Sequence, residues 1–478
     1  MRPTSTKRPH RRGTAIGALA FALANAASTQ AFAQDDDDIV VPANPRPEPA
    51  PAAAPPAPAT PPPVPSAAPP VPAAAPASDA VTRLAALLEP YTVTGYMQGE
   101  YQSSAASQDQ LAQGGVPLNR DRFVLRRARV RIDGEYEYAA LQMEADGNTS
   151  RGPQLRVLHA FGTLKLPGKE PKLPLAAATI GLFDTPFGYE LVEWPRVRWF
   201  MERSTSSQAF FPAEPDLGVR LHGALSFVRW DIAAMNGEPL ENRNGYPGLS
   251  PRAAKDVVFR VGIDTKPTKA IDVSGHVSGL RGKGFHPGTD GTKGNVQWKD
   301  ANEDGAIQPV ELSGVPATAA TPSQLFERWA VGADLQVKLR TRLGQSMVYG
   351  EVTIAKNMDR GLFLADPVLT GTDSRELGYY VGIVQEVTRW GIVGFRFDHY
   401  DPNADFFDKR GGKLIPTSQA IDTFSPIVGL VLPDPNGIDR ARLLLQYDFI
   451  RDKLARDARG LPTDLDNDVL TLRLQVSL

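Results

Sequence analysis

The feature that most constrains this chain is a two-residue alternation of apolar and polar side chains that recurs from Tyr91 to Leu478. In the last run the apolar positions are Leu470, Leu472, Leu474, Val476 and Leu478, and the polar ones are Thr471, Arg473, Gln475 and Ser477. Because successive side chains of a strand point to opposite faces, such a strand separates an apolar environment from an aqueous one. No stretch of about 18 apolar residues follows the N-terminal region, so no membrane-spanning helix is predicted. The chain is therefore expected either to be a soluble β-protein or to cross a membrane as a β-barrel.

The alternating runs and the connections between them favour the barrel. About 16 strands are predicted, and they cover Tyr91–Gln102, Arg122–Asp133, Tyr136–Ala145, Leu155–Leu166, Ala176–Phe183, Gly218–Ala224, Val228–Met235, Val257–Asp264, Ile271–Gly279, Trp329–Leu339, Ser346–Ala355, Leu377–Val387, Gly391–Tyr400, Pro426–Leu432, Ala441–Ile450 and Val469–Leu478. Short connections such as Thr388–Trp390 alternate with long ones such as Asp184–Leu217. Outer-membrane barrels have short turns at one end and long loops at the other, whereas sandwiches and propellers give no reason for this alternation. The prediction is an all-β fold, a transmembrane antiparallel β-barrel of about 16 strands over residues 91–478.

The N-terminal region has a different character. Residues 1–33 are predicted to be a secretory signal peptide, because arginines and lysines precede the apolar segment Ala15–Ala27 and small residues stand at Ala31 and Ala33. Residues 34–78 begin with Asp35–Asp38 and continue as a Pro/Ala-rich tract that cannot build a core, so they are predicted to be a disordered periplasmic linker. Residues 79–90 are predicted to form one short helix. The linker is either a spacer that contacts peptidoglycan or an unselected tether.

Composition excludes several classes of function. The 52 Lys and Arg residues nearly balance the 54 Asp and Glu residues, so there is no basic surplus that would favour nucleic acid as a partner. The chain has no cysteine, and an exported chain without disulfides needs a large core or a closed hydrogen-bonded structure. The six histidines are scattered, and no metalloprotease or serine-hydrolase motif occurs, so no enzymatic activity is predicted.

Three arginines suggest how solutes are conducted. Arg127, Arg129 and Arg131 share one face of the second predicted strand. Guanidinium groups spaced about 6.8 Å apart along a strand would line the lumen as an arginine ladder that attracts anions. The alternative is that carboxylates such as Glu144 and Asp146 pair with them across the hairpin and cancel their field.

The long connection over residues 184–217 is predicted to be the constriction loop. It has about thirty residues, far more than a hairpin loop needs, and it is rich in aromatic residues, so it must fold onto something. Arg196, Arg198 and Arg203 are candidate pore-lining, anion-binding residues because their planar donor groups suit oxyanions. The nearby carboxylates Glu190, Glu193 and Glu202 are candidates for anchoring the loop to arginines of the lumen, which leaves the net sign of charge at the constriction open.

A calcium motif lies in the longest loop, residues 280–328. The segment from Asp300 to Glu311 has the ligand spacing of an EF-hand loop, including glycine at its sixth position. The predicted ligands are Asp300, Asn302, Asp304, the carbonyl of Ala306, Gln308 and Glu311. The sequence thus predicts a Ca²⁺ site in this loop, and the alternative is a solvated acidic loop.

Three segments of the chain resemble the phosphate-selective porin O and P family. They run from Arg122 to Arg131, from Ile180 to Glu190 and from Phe200 to Ser204. The resemblance implies a barrel of about 16 strands, usually a homotrimer, with an inward-folded loop and an arginine ladder that conducts anions, sometimes phosphate. It places the ladder at Arg127, Arg129 and Arg131 and the constriction at Phe200–Ser204.

Together these observations predict an outer-membrane porin for passive diffusion of small hydrophilic solutes, with a preference for anions. Its expected partners are small anions and outer-membrane lipid. The alternative is a structural outer-membrane barrel with a plugged lumen, tethered to the cell wall through the Pro-rich segment.

Overall fold

The fold was determined from a computed structural model of the chain. The structure describes residues 90–105, 121–150, 152–166, 168, 173–212, 215–237, 253–405, 407–410, 413–416, 419–433, 439–452, 455–456, 462–465 and 467–478. The signal peptide, the Pro/Ala-rich linker and residues 79–89 of the predicted short helix lie outside the described residues. Residues 91–478 form one compact unit.

The described residues form strands and very little helix. The strands are β1 (Tyr91–Ser104), β2 (Asp121–Glu135), β3 (Ala139–Asn148), β4 (Gln154–Leu166), β5 (Ala176–Asp184), β6 (Pro215–Leu225), β7 (Val228–Met235), β8 (Asp256–Thr268), β9 (Ile271–His286), β10 (Asn295–Trp298), β11 (Leu312–Val315), β12 (Gln324–Arg340), β13 (Gln345–Lys356), β14 (Arg375–Val387), β15 (Gly391–Asp401), β16 (Phe407–Arg410), β17 (Lys413–Pro416), β18 (Ile421–Pro433), β19 (Asp439–Arg451), β20 (Ala455–Arg456), β21 (Pro462–Thr463) and β22 (Val469–Ser477). The short helices are α1 (Thr205–Phe210) and α2 (Pro367–Thr370), and Pro309–Glu311 is a 3-10 turn. Within these residues no helix has the length and apolar character needed to cross a membrane.

Sixteen of the strands form a closed antiparallel barrel, as the sequence predicts. The order is β1 to β9, then β12 to β15, β18, β19 and β22. The barrel closes because β1 pairs with β22, with Gln98 opposite Gln475. Short connections such as 341–344 and 388–390 lie at one end, called here the turn end, and the long connections lie at the other, the loop end.

The alternation in the sequence corresponds to the two faces of the barrel wall. In β22, Thr471, Arg473 and Gln475 are buried inside the barrel, whereas Leu472 and Leu474 are exposed on the outer surface. Exposed valine, leucine, isoleucine and phenylalanine side chains continue this pattern on the outer face of the other strands. An apolar outer face and a polar inner face are what a strand needs between lipid and water.

Several strand boundaries differ from those predicted. The third strand begins at Ala139 rather than Tyr136, because Tyr136 belongs to the turn and its backbone N–H donates to the carbonyl of Ala139 at 2.9 Å. The strand predicted to start at Pro426 starts at Ile421, because proline does not interrupt pairing with β15. β9 and β12 are longer than predicted and reduce the calcium-motif loop to residues 287–323.

That loop is a two-stranded arm that the alternation did not predict. β10 pairs with β11, and below them the hydroxyl groups of Thr292 and Thr318 lie 2.7 Å apart. Nearly all residues of the arm are exposed. The calcium motif forms the tip of this arm, between its two strands.

Candidate functional site

The segment between β5 and β6, residues 185–214, lies inside the barrel and is called here the inward loop. Among its described residues, Phe187, Phe200 and Phe210 are at most 2 % exposed. These side chains touch residues from the inner face of the wall rather than solvent. Aromatic side chains of this size bury large apolar areas, so their packing fixes the loop against the wall.

Two separate apolar clusters hold the inward loop. In the first, Phe187, Phe210 and Phe211 pack against Met235, Val258, Leu280, Met358 and Tyr400. In the second, Phe200 and Met201 pack against Tyr349, Tyr380, Ile427 and Leu444. The second cluster includes Val384 and Ile392, which flank the β14–β15 turn, so the loop reaches the turn end of the lumen. Part of the lumen is therefore filled by apolar packing.

Buried carboxylates of the wall bind the backbone of the inward loop. Glu351 Oε2 accepts from the N–H of Tyr189 at 2.8 Å, and it also accepts from the Tyr380 hydroxyl at 3.1 Å. Asp398 Oδ2 accepts from both the N–H of Thr205 at 2.5 Å and its hydroxyl at 2.9 Å. Each of these carboxyl oxygens accepts two hydrogen bonds, so the contacts position the loop and the start of α1.

Glycine at residue 188 allows the loop to approach Glu351 closely. Gly188 has a φ of +61°, a conformation that glycine adopts without steric cost. A Cβ atom at this position would lie 2.2 Å from Glu351 Oε1. The N–H of Gly188 donates to the hydroxyl of Ser278 at 3.0 Å. Ser278 of β9 and Glu351 of β13 therefore both bind this turn of the inward loop.

The arginine ladder points into the barrel but is paired with carboxylates. Arg129 lies 3.4 Å from Glu144 and 3.3 Å from Asp146, and Arg131 lies 2.8 Å from Asp133. The pairing with Glu144 and Asp146 is the alternative considered from the sequence. Much of the ladder's field is therefore neutralised locally.

A β-bulge adds a further arginine to this face. Gln98 lies opposite Arg127 and Gly99 lies opposite Leu125, so Arg126 has no partner position across β1. Because the bulge breaks the alternation locally, Arg126 and Arg127 both turn inward. In the sequence, Arg126 interrupts the apolar face of the second predicted strand, and the bulge is the reason for this interruption.

Glu202 is the point at which the inward loop contacts three arginines. Its carboxylate lies 2.9 Å from Arg126, 2.8 Å from Arg127 and 2.9 Å from Arg473. Burial opposes ionisation, but the positive charges of Arg126 and Arg127 outweigh it and hold the pKa of Glu202 well below its usual range. The loop is thus clamped to β2 and β22 by a carboxylate that the sequence had indicated as an anchor.

Glu190 forms the second such anchor. Its carboxylate accepts from Arg396 at 3.0 Å and from the N–H of Ser204 at 2.6 Å. Glu190 therefore connects Arg396 of β15 with the part of the inward loop that ends at Ser204. Sequence indicated Glu190 and Glu202, but gave no sign of Glu351 and Asp398, which lie in strands far along the chain.

The three candidate arginines of the loop occupy different environments. Arg196 lies over the ring of Trp194 at 5.3 Å, and Arg131 lies over the same ring at 5.3 Å. Arg198 and Arg203 are 4 % and 6 % exposed, and they donate to the backbone carbonyls of Glu190 at 2.9 Å and Phe211 at 2.8 Å. Arg198 and Arg203 therefore brace the loop itself, and Arg196 lies beside the ladder.

Half-exposed charged side chains mark the remaining space inside the barrel. Side-chain exposure is 28 % for Arg131, 35 % for Arg156, 30 % for Asp184 and 30 % for Arg220. These residues lie on β2, β4, β5 and β6, whereas most wall residues of the two apolar clusters lie on β7 to β19. The inward loop thus leaves a polar, water-accessible side next to the strands that carry the arginine ladder.

The calcium motif adopts a tight turn stabilised by its own side chains. Asp300 accepts from the N–H of Gly305 at 2.8 Å, and Asp304 accepts from the amide group of Gln308 at 2.7 Å. Glu311 accepts from the indole N–H of Trp298 at 3.0 Å, and this hydrogen bond lowers the pKa of Glu311. Among the residues that the structure describes, no three His, Asp or Glu side chains are arranged so that they could hold a metal ion. Calcium is bound by oxygen ligands, which this segment has. To bind the ion together with Asp300 and Asp304, the side chain of Glu311 would have to give up its hydrogen bond with Trp298 and turn towards them.

No protein-family model and no curated protein matches the sequence. Among solved structures, the chain is similar to OprB of Pseudomonas putida, with a TM-score of 0.52 and 10 % identity over 83 % of this chain and 96 % of that one. It is also similar to the outer membrane channel DcaP of Acinetobacter baumannii, with a TM-score of 0.50 and 10 % identity over 81 % of this chain and 97 % of that one. An anion-selective porin from Comamonas acidovorans matches with a TM-score of 0.44 and 9 % identity over 81 % of this chain and 99 % of that one. The chain therefore shares the barrel fold of OprB and DcaP.

Proposed function

We propose that the protein is an outer-membrane porin through which small hydrophilic solutes diffuse passively. The observation that carries this proposal is the set of half-exposed charged side chains inside the barrel, at Arg131, Arg156, Asp184 and Arg220. Charged groups that remain hydrated within a barrel wall line a path that water and solutes can share. The inward loop narrows this path because it fills the other side of the lumen.

We further propose that the pore prefers anions and admits phosphate-like oxyanions. The guanidinium groups of Arg131 and Arg196, which are partly exposed, supply donors in a planar geometry that suits such ions, whereas Arg127 and Arg129 are buried. The carboxylates of Glu202, Glu144 and Asp133 offset much of this charge. The expected preference is consequently weak and falls with ionic strength, since salt screens the remaining field.

Single-channel recording in planar bilayers tests both parts. The purified protein should form steps of conductance, and the reversal potential in a KCl gradient should show chloride crossing more easily than potassium. Absence of conductance would refute the porin proposal. A reversal potential that indicates preference for potassium would refute only the selectivity.

The second candidate is a structural barrel with a plugged lumen, anchored to peptidoglycan through the N-terminal tract. The observation that favours it is the pair of apolar clusters that fasten the inward loop inside the barrel. A barrel of this kind would give no conductance. Its N-terminal tract, residues 34–78, would bind purified peptidoglycan in a sedimentation assay.

We also propose that the protein assembles as a homotrimer in the outer membrane. The exposed apolar belt on the outer face is suited to lipid, and part of it would be covered by neighbouring subunits. Native mass spectrometry in detergent tests the assembly, and a mass of one subunit would refute it. Fractionation of cell envelopes tests the location.

A further inference from the structure

The outer face of the barrel carries basic side chains near the loop end, on the surface that faces away from the lumen. Arg281 and Lys283 lie on β9 in the same phase as Val277, which is exposed on the outer surface. Both basic residues are exposed, and the side chain of Arg281 is 81 % exposed. Lys255 is also exposed, and it lies two residues before Val257, the outward residue of β8 that pairs with Arg281. We call Lys255, Arg281 and Lys283 the outer basic patch.

Strand pairing brings the members of this patch together. On the other side of β9, Arg281 lies opposite Trp329 of β12, and Lys283 lies opposite Glu327. The register that pairs β8 with β9, continued by two residues, brings Lys255 opposite Lys283. Because neighbouring strands are about 4.8 Å apart, the three cationic side chains leave the wall within roughly 10 Å of one another.

The positive charge of the patch is only partly offset. Neither of its two lysines forms an ion pair with any residue that the structure describes. Arg281 lies 3.8 Å from Glu327, and exposed pairs of this kind are weak. Asp256 of β8 does not compensate the patch, because its side chain is buried inside the barrel and pairs with Arg328 at 2.6 Å. Among the described residues of this surface, the three cations therefore share one carboxylate, that of Glu327.

The patch lies at the loop-end border of the apolar outer surface. Outward positions of β12 that follow Trp329 are all apolar, and they are Val331, Ala333, Leu335, Val337 and Leu339. From Trp329 to Leu339 the strand rises about 26 Å along the barrel axis, at about 3.4 Å per residue and a tilt of about 40°. Outer-membrane barrels present an apolar band about 25 Å tall, and tryptophan is enriched at its borders. Arg281, which is paired with Trp329, therefore lies at the level of lipid head groups.

We propose that the outer basic patch binds the phosphate group of a lipid head group in the leaflet that surrounds the loop end. Guanidinium and ammonium groups both donate hydrogen bonds to phosphate oxygens, and basic clusters at a membrane border recognise anionic head groups. The acyl chains of the same lipid would lie against Val257 and Val331, which are 52 % and 51 % exposed. A free phosphate ion gains no such apolar contact, so a lipid fits the site better.

This inference goes beyond the proposed function, because it concerns the outer face of the barrel and does not depend on conductance. The test is a titration of the detergent-solubilised protein with dimyristoyl phosphatidic acid, followed by native mass spectrometry. Dimyristoylglycerol, which has the same acyl chains and no phosphate, and inorganic phosphate are the reference ligands. The variant Arg281→Gln/Lys283→Gln should bind phosphatidic acid on the order of 30-fold more weakly than the wild type, because each basic residue near an anionic lipid contributes roughly fivefold.

The matched control is Lys356→Gln/Arg375→Gln. Lys356 lies opposite both Trp329 and Arg375, so these two cations belong to the same level of the outer face as Arg281. Each of them already pairs with a carboxylate, Lys356 with Asp373 and Arg375 with Asp405. The control should therefore bind phosphatidic acid within about twofold of the wild-type affinity.

The outcomes decide between the lipid and its alternatives. Stronger binding of phosphatidic acid than of dimyristoylglycerol, lost in the patch variant and kept in the control, supports the inference. Equal binding by the wild type and the patch variant overturns it, and so does an equal loss in the control. Inorganic phosphate that displaces the lipid at equal concentration would identify a free anion as the occupant and also overturn it.

Two further measurements keep the test decisive. Arg281→Gln alone replaces a side chain that is 81 % exposed, so it serves if the double variant does not fold, and it should weaken binding roughly fivefold. Conductance of the same wild-type preparation is recorded separately. A protein that binds phosphatidic acid through the patch but does not conduct refutes the porin proposal and leaves this inference standing.

Discussion

Replacement of Gly188 by alanine should release the inward loop from the wall. The new Cβ atom would lie 2.2 Å from Glu351 Oε1, whereas ordinary contacts between such atoms are above about 3.4 Å. The carboxylate of Glu351 must therefore move by about 1 Å or the turn must lift away. Either change breaks the 2.8 Å hydrogen bond from the N–H of Tyr189.

The magnitude follows from two costs. A residue with a side chain at a φ of +61° loses about 1–2 kcal/mol relative to glycine. Loss of the hydrogen bond to the Glu351 carboxyl group adds about 0.5–1.5 kcal/mol. The free energy that holds the loop against the wall should therefore fall by about 1.5–3.5 kcal/mol, and a change of about 2 kcal/mol raises the undocked population on the order of 30-fold.

The assay is single-channel recording combined with limited proteolysis of the inward loop. Gly188→Ala should give larger or noisier conductance and faster cleavage within residues 185–214. Gly371→Ala is the matched control, because Gly371 has a φ of +74° but no neighbouring atom lies within 4 Å of the point that an alanine Cβ would occupy. If Gly188→Ala behaves like Gly371→Ala in both assays, close packing against Glu351 does not hold the loop, and the reasoning is refuted.

Three further predictions concern the carboxylates of the loops. Glu202→Gln should lower the free energy of unfolding by about 1–3 kcal/mol, because Arg126 and Arg127 lose the carboxylate that they share, whereas Arg473 keeps its contact with Glu100. Glu327→Gln, whose pair with an exposed arginine spans 3.8 Å, should change it by less than about 1 kcal/mol in the same urea titration. Since the pKa of Glu202 is depressed, its contribution is complete above its ordinary pKa of about 4.5 and is lost only as the pH falls through the depressed value. The difference in unfolding free energy between the wild type and Glu202→Gln should therefore stay constant from about pH 7 to 5 and shrink only in more acidic solution, and a decline that begins above pH 5 would contradict the sign. Calorimetry should detect calcium binding that Asp300→Ala removes and Asp290→Ala does not, with a change in the fluorescence of Trp298; no binding to the wild type would refute the calcium site.

The barrel itself was predictable from the sequence because its constraint is local. Every strand lies between an apolar and an aqueous environment, so apolar and polar residues alternate along each run, as in Leu472, Arg473 and Leu474. The number of alternating runs then indicated the number of strands, and the connection lengths distinguished the two ends of the barrel. These signals require no knowledge of which strands meet in space.

The interior of the barrel was less predictable because its contacts join distant parts of the chain. Glu351 binds Tyr189 across 162 residues, and neither residue has a sequence neighbour that signals the pairing. The same holds for Arg473, which joins Glu202 across 271 positions. Arginines of the inward loop were recognised by type, but residue type alone does not distinguish a side chain that faces water from one that caps a carbonyl group, as Arg198 does.

The pairing of the first strand with the last has a consequence for biogenesis. The N–H of Leu478 donates to the carbonyl of Gly95 at 2.9 Å, so the barrel closes where β22 meets β1. Until β22 is in place, every partly assembled sheet exposes two unpaired edges, which readily associate with other chains. The cylinder can therefore close only when β22 is available, and removal of β22 should leave an open, aggregation-prone sheet.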